Sequence, residues 1–165
     1  CAEGYIGVTT DGMKGCHACL AGFWSFIGMS SCQGCVPGSF STKASSQCQQ
    51  CPIGKYSGPF SSACTSCPAG TYAAIGQGVC QACLAGSYST VGASQCTKCP
   101  SGYYSGAYAS ECTICAAGTF ANPGQPSCTV CLAGTFSVSG AGTCTPCSNG
   151  DFSGPGASSC DSCSN

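Results

Sequence analysis

Hydrophobic and polar positions recur along the chain with a 16-residue period. In each period a glycine follows a cysteine by three positions, and an aromatic residue follows that glycine by two. The glycine predicts a turn with a positive φ, and the aromatic step predicts a short strand with its ring on one face. The remaining positions are mostly Gly, Ser or Ala, which disfavour helices. The aromatics are Trp24, Phe40, Tyr56, Tyr72, Tyr88, Tyr104, Phe120, Phe136 and Phe152.

Cysteine sets this period. Cys1 matches the second cysteine of a pair, because CAEGY resembles CLAGF from Cys19, and its loop carries two extra residues. We therefore expect one tandem array over residues 1–165, with an irregular first loop at 1–15 and regular Cys-x-x-Cys repeats over 16–163, as part of a longer chain. The ten pairs begin at Cys16, Cys32, Cys48, Cys64, Cys80, Cys96, Cys112, Cys128, Cys144 and Cys160.

A second, 48-residue period lies within the first. Every third loop is alike: PIGKYSGPFSSA, PSGYYSGAYASE and SNGDFSGPGASS share an aromatic-Ser-Gly step, and VPGSFSTKASSQ, LAGSYSTVGASQ and LAGTFSVSGAGT form another set. The remaining three loops contain FIGMSS, AIGQGV and NPGQPS. Either a block of three repeats was duplicated, or three distinguishable environments recur along an assembly.

The composition predicts a fold held together by disulfide bonds and not by a large hydrophobic core. Cysteine accounts for 21 of the 165 residues, above the level typical of disulfide scaffolds, and 25 residues are glycine. Large aliphatic residues are few, so no segment can build a sizeable apolar core. We expect a small disulfide-rich repeat protein, an elongated solenoid or rod of 16-residue loops with short hairpin-like strands and little or no helix.

The low content of charged residues argues against several classes of binding partner. Only 5% of the residues are charged, the formal net charge is -1, and the chain has no arginine. Nucleic acid and anionic membrane surfaces need a basic footprint that is missing here. No apolar run approaches the roughly 20 residues of a membrane span, so we expect no direct membrane insertion.

The Cys-x-x-Cys pairs admit three chemistries. Their spacing is near that of four-cysteine zinc sites, but uniform repetition and an odd cysteine count argue against zinc. A redox pair needs a strand-helix scaffold that is not readable in this sequence. Disulfides in an oxidising compartment are the favoured interpretation, and we expect no cofactor and no metal.

Two disulfide connectivities remain open. The first closes each 12-residue loop onto the next pair, at about 3 kcal/mol per bridge, and leaves Cys163 unpaired. The rival joins cysteines one repeat apart, leaves Cys1 unpaired and should produce an even-odd alternation of repeats, which neither period of the sequence shows. We prefer the loop-closing order: Cys1 with Cys16, Cys19 with Cys32, Cys35 with Cys48, Cys51 with Cys64, Cys67 with Cys80, Cys83 with Cys96, Cys99 with Cys112, Cys115 with Cys128, Cys131 with Cys144, and Cys147 with Cys160.

The segments CPAGTY (Cys67 to Tyr72), CLAGSY (Cys83 to Tyr88) and CLAGTF (Cys131 to Phe136) resemble ephrin-receptor-like, or GCC-type, cysteine-rich repeats. The same step is similar to the single-disulfide module of tumour-necrosis-factor-receptor cysteine-rich domains. In that module the cysteine before Gly-x-aromatic pairs with the next one along, so the resemblance implies the loop-closing order. Such repeats occur in receptors, adhesion proteins and surface proteins. This chain lacks the extra interlocked cysteines of the receptor module.

Catalysis has little support in this sequence. His17 is the only histidine and lies inside the first Cys-x-x-Cys, where a spacer role is the simpler interpretation. Asp151 and Asp161 are expected to be solvated turn residues, because neither belongs to an oxygen-rich calcium loop. We therefore expect a protein that is not an enzyme.

Two functions fit the pattern. The first is an extracellular structural rod, a fibre protomer or a component of a surface appendage, that self-associates or binds other extracellular proteins. Its aromatic rings would form a ladder against the neighbouring disulfides. The second is the ectodomain stalk of a cell-surface receptor or adhesin that binds a protein ligand. The protein is expected outside the cell in either case.

The candidate interface consists of residues that differ from the type usual at their position in the repeat. Trp24, Phe26, Ile27 and Met29 form an apolar stretch that could be a docking patch or an end cap over the first repeat. Phe60 and Tyr108, one 48-residue period apart, replace a residue that is usually Gly or Ala. O-linked glycans on the many Ser and Thr residues are also expected, since so little charge keeps the chain soluble.

Overall fold

The structure, a computed structural model, describes residues 1–10 and 13–162. These residues form short antiparallel strand pairs and no helix, so the small disulfide-rich fold expected from the sequence is confirmed. The chain divides into two compact units. Unit 1 comprises Cys1–Pro68, Tyr72–Gln81 and Val91–Gln95, and unit 2 comprises Ala69–Thr71, Ala82–Thr90 and Cys96–Asn165.

Each repeat contains one strand pair. The first pair is the longest: β1 (Tyr5–Thr10) runs antiparallel to β2 (Met13–Ala18), with Gly7 opposite Cys16. In the regular repeats the aromatic strand pairs with the two residues inside the next Cys-x-x-Cys. These strands are β3 (Phe23–Trp24), β4 (Gln33–Gly34), β5 (Ser39–Phe40), β6 (Gln49–Gln50), β7 (Lys55–Tyr56), β8 (Thr65–Ser66), β9 (Thr71–Tyr72), β10 (Gln81–Ala82), β11 (Ser87–Tyr88), β12 (Thr97–Lys98), β13 (Tyr103–Tyr104), β14 (Thr113–Ile114), β15 (Thr119–Phe120), β16 (Thr129–Val130), β17 (Thr135–Phe136), β18 (Thr145–Pro146), β19 (Asp151–Phe152) and β20 (Asp161–Ser162).

A tight turn precedes each aromatic strand. In the second repeat the Phe23 N–H donates to the Leu20 carbonyl oxygen at 3.0 Å, and Gly22 between them has a φ of 87°. A positive φ at this position is what a type II turn requires, and glycine adopts it without steric cost. The positive φ expected at this recurring glycine is confirmed. The Cys35 N–H then donates to the Gly22 carbonyl oxygen at 2.9 Å, which ties the end of the repeat to its start.

Backbone hydrogen bonds join successive repeats in unit 1. The Gly38 N–H donates to the Ser57 carbonyl oxygen at 2.8 Å, and the Phe60 N–H donates to the Cys35 carbonyl oxygen at 2.9 Å. Single parallel bridges add to them, since the aromatic of one repeat pairs with a residue of the next. These bridges are Trp24 with Ser45, Phe40 with Ser61, and Tyr72 with Ala93.

The same bonds recur in unit 2. The Gly86 N–H donates to the Ser105 carbonyl oxygen at 2.8 Å, and the Tyr108 N–H donates to the Cys83 carbonyl oxygen at 3.0 Å. Neighbouring repeats are therefore joined by main-chain N–H and carbonyl groups. Side chains need only be small enough to let the two backbones come together. The parallel bridges are Tyr88 with Ala109, Tyr104 with Gln125, and Phe136 with Ala157.

The interior of each unit consists of cysteine and small polar residues. The second cysteine of most pairs is buried, as is the Ser or Ala after each aromatic. The buried Ser57 hydroxyl donates to the Ser39 carbonyl oxygen at 2.9 Å, and in the part of the chain that the structure describes every buried side-chain nitrogen or oxygen has a partner. The strand aromatics are only half-buried and Phe152 is exposed, so part of each ring faces solvent.

Close backbone approach explains this small-residue interior. A Cβ added to Gly38 would overlap the carbonyl oxygen of Gly76, and one added to Gly102 would overlap that of Gly140. Each of these glycines therefore lies against the backbone of the repeat two further along. No side chain fits at this contact, because only the hydrogen of glycine leaves room for the neighbouring carbonyl oxygen.

Candidate interaction surface

The cysteines of the described residues are joined in the loop-closing order. Each regular bridge spans 13 positions with Cα atoms 5.6–5.8 Å apart, and the first spans 15. Cys163 lies outside the described residues. The bridges are Cys1–Cys16, Cys19–Cys32, Cys35–Cys48, Cys51–Cys64, Cys67–Cys80, Cys83–Cys96, Cys99–Cys112, Cys115–Cys128, Cys131–Cys144 and Cys147–Cys160.

These bridges occupy every cysteine among residues 1–10 and 13–162. In that part of the chain no three His, Cys, Asp or Glu side chains are grouped as metal ligands would be. His17 lies on β2 opposite Ile6, and Asp151 and Asp161 lie on β19 and β20 without facing each other. Disulfides at this density are typical of an oxidising compartment. None of the described residues belongs to a helix that could cross a membrane.

The apolar stretch of the second repeat forms a small cluster. The Trp24 and Phe26 rings meet edge to face with centroids 4.7 Å apart, and the Phe26 N–H points at the Met29 sulfur at 3.1 Å. Phe26 is 51% exposed and Ile27 is 73% exposed. Ser25 joins this loop to the first repeat by two hydrogen bonds. Its hydroxyl donates to the Tyr5 carbonyl oxygen at 3.2 Å, and its carbonyl oxygen accepts from the Gly4 N–H at 2.8 Å. Phe26 and Ile27 thus present apolar surface outward, as a docking patch requires.

Phe60 and Tyr108 occupy a strained backbone position. Their φ values are 57° and 60°, whereas six of the nine regular repeats have glycine at this turn, and Ala44 is the only other exception. A side chain in the left-handed region costs roughly 1–2 kcal/mol relative to the right-handed one. Phe60 is 59% exposed and Tyr108 is 67% exposed, so little burial offsets that strain.

Sequence reasoning missed a partner of Phe60. Its ring stacks on Phe23 with centroids 5.4 Å apart and planes 3° from parallel, and it also covers Gly34. The signal was present, because the position of Phe23 holds Ser, Thr, Lys, Tyr or Asp in the other regular repeats. A ring there and a ring at the turn two repeats later are a matched pair.

Aliphatic residues directly after the second cysteine were also missed. Leu20, Val36, Leu84 and Leu132 are among the most exposed large apolar side chains in the described residues. Each lies at the start of the glycine turn, and its carbonyl oxygen accepts the turn hydrogen bond while its side chain points to solvent. Val36, Leu84 and Leu132 belong to the same set of loops in the 48-residue period, and Leu20 belongs to another set.

No protein-family model matches the chain, and no curated protein matches it either.

Proposed function

We propose that this chain is a non-enzymatic structural protein of the extracellular space, a fibre protomer or a component of a surface appendage. The observation that carries the proposal is the inter-repeat register, in which each repeat donates and accepts the same main-chain hydrogen bonds. Stability in such arrays is the sum of repeat terms and neighbour terms. Repeats can therefore be added without redesigning a core, as a structural element of variable length requires.

Covalent closure supports the same function. Each regular bridge closes one loop between neighbouring Cys-x-x-Cys pairs, which stabilises the folded chain by about 3 kcal/mol in the chain-entropy account. A protein with so little apolar core depends on these bridges, and an oxidising location outside the cell preserves them. The resemblance to ephrin-receptor-like repeats, which occur in surface proteins, supports this location.

Low charge favours assembly. Four basic and five acidic residues over 165 positions leave a formal net charge of -1, so copies of the chain repel one another weakly. Electron microscopy of the native, oxidised protein over a range of concentrations tests the proposal. We expect regular filaments with an axial repeat, and we expect them to disappear after reduction and alkylation.

A receptor or adhesin stalk is the second candidate, and the Phe26 and Ile27 surface favours it. In that role the oxidised protein stays as isolated molecules in the same images, whatever its concentration. The double substitution of Phe26 and Ile27 by serine then abolishes attachment to cells that bind the wild-type protein. Filaments that are unaffected by this double substitution count against the stalk.

Glycosylation with O-linked sugars would keep an almost uncharged surface soluble. Exposed hydroxyl residues beside proline, such as Ser127 after Pro126, are the proposed acceptors. The intact mass of the natural protein should exceed that of the polypeptide, less two hydrogens per bridge, by multiples of a sugar mass. A mass equal to the bare oxidised polypeptide contradicts this.

A further inference from the structure

The 16-residue and 48-residue periods of the sequence correspond to different features of the structure. The main-chain bonds between neighbouring repeats follow the 16-residue period, and they are the same whichever of the three loop sets is involved. The 48-residue period is carried by exposed side chains. The clearest case is the group of Val36, Leu84 and Leu132, which are 68%, 79% and 78% exposed and which we call the aliphatic trio. Leu20, at the same repeat position in a neighbouring loop set, is 69% exposed and lies outside this spacing.

The other two loop sets show the same spacing at different places in the repeat. Ile27 and Ile75 are exposed in one set, and Phe60 and Tyr108 are exposed in the other. Stacking the repeats requires no apolar residue at these positions, since polar or small residues replace them elsewhere in the array. Tyr108 even replaces a glycine at a left-handed turn, where a side chain is unfavourable. Phe60 already has a contact within the chain, because its ring stacks on Phe23. The strained Tyr108 and the exposed Ile27 and Ile75 point instead to a contact outside the chain.

A second copy of the chain fits these residues best. A partner that contacts apolar side chains once in every three repeats must itself present contacts with that period, and another copy does so by construction. The apolar positions are uncharged and the chain carries almost no net charge, so like copies approach without strong repulsion. Each contact is one side chain wide, well below the roughly 800 Å² per partner of a standard interface. Binding must therefore come from several weak contacts made together.

We propose that the aliphatic trio mediates self-association, so that copies of this chain contact one another once in every three repeats. This inference rests on the proposed function, because it names the contact by which the structural protein would assemble. The alternative is that the 48-residue period records only a duplicated block, in which case the trio has no partner.

The chain supplies its own matched control. Ile53, Val79 and Val91 are 62%, 67% and 68% exposed, yet none has an aliphatic counterpart three repeats away. The test compares the triple variant V36S/L84S/L132S with the triple variant I53S/V79S/V91S. Self-association of each oxidised protein is measured by sedimentation velocity over a wide concentration range. Intact mass with all described bridges formed serves as the folding check, and V36T/L84N/L132N replaces the trio variant if serine impairs oxidation.

We expect the trio variant to weaken association by about tenfold or more and the control by less than about threefold, because only the trio loses partner contacts. Equal weakening by the two triples, or none by the trio variant, overturns the inference while self-assembly itself survives. A wild-type chain that stays monomeric throughout overturns the proposed function together with this inference.

Discussion

When the chain is pulled from its two ends, the residues enclosed by a disulfide cannot extend until that bridge is broken. The increase in length on breaking each bridge therefore measures how many residues it encloses. A regular bridge spans 13 positions while its Cα atoms lie 5.7 Å apart. Thirteen residues extend to about 46 Å at roughly 3.5 Å per residue, so breaking one bridge should release about 40 Å. The first bridge spans 15 positions and should release about 47 Å by the same arithmetic.

Single-molecule force spectroscopy detects these steps. Without reductant the loaded path of a repeat is one bridge plus Cys-x-x-Cys, about 16 Å when fully extended. Unravelling of the oxidised chain should therefore stop at a short length. Adding a soluble phosphine under force should then release the loops one at a time in steps of about 40 Å.

The rival connectivity predicts a different record. If Cys16 paired with Cys32 and Cys19 with Cys35, the two bridges would be interlocked. Cleaving either one alone would release almost nothing, and cleaving the second would release about 50 Å. Steps of that size would refute the loop-closing order. Lengthening on addition of a chelator without reductant would refute the disulfides altogether and restore the zinc alternative.

Three further predictions concern single side chains, and each is measured by amide hydrogen exchange of the affected repeat in the oxidised protein. Substituting alanine for Gly102, whose Cβ would overlap backbone two repeats along, should cost more than about 2 kcal/mol. The same change at Gly134, which has a φ of 79° but open space around it, should cost about 1 kcal/mol, and at exposed Gly106 almost nothing; equal effects at all three contradict the close approach. Ser57→Ala should lose about 1 kcal/mol with its buried hydroxyl bond, and no change would mean that the bond is not formed. Tyr108→Gly should stabilise its turn by about 1 kcal/mol through relief of the positive φ, and destabilisation would show that the ring makes a compensating contact.

The parts of the fold that could be predicted are those where a recurring residue has a single physical explanation, as the glycine of each turn has. A glycine three residues after the second cysteine of each pair implied a left-handed turn, and the structure places it at φ 83° for Gly38 and 81° for Gly102. The position of the aromatic rings was not predictable in the same way. A sequence shows that Gly38 needs a special φ but not that the carbonyl oxygen of Gly76 lies against it and leaves no room for a side chain there.

The candidate surface was predictable only in part. Phe60 and Tyr108 stand out in sequence because they replace glycine, and the structure shows both to be exposed. Val36 and Leu84 do not stand out, since an aliphatic residue in any sequence is first assigned to a core. Their exposure follows from a fold whose interior is already filled by cysteine, glycine and serine.

The division between a uniform interior and a varied surface explains how the chain tolerates strain. A tyrosine at φ 60° carries backbone strain that local opening of its turn would relieve, and the entropy gained by the opened segment favours that opening. Here the turn of Tyr108 lies inside the loop closed by Cys99 and Cys112, and the bridge removes much of that entropy. The Tyr108 N–H is also held by the Cys83 carbonyl oxygen of the preceding repeat. An unfavourable surface residue can thus persist in a stapled repeat, and selection for an external contact can act on it without endangering the fold.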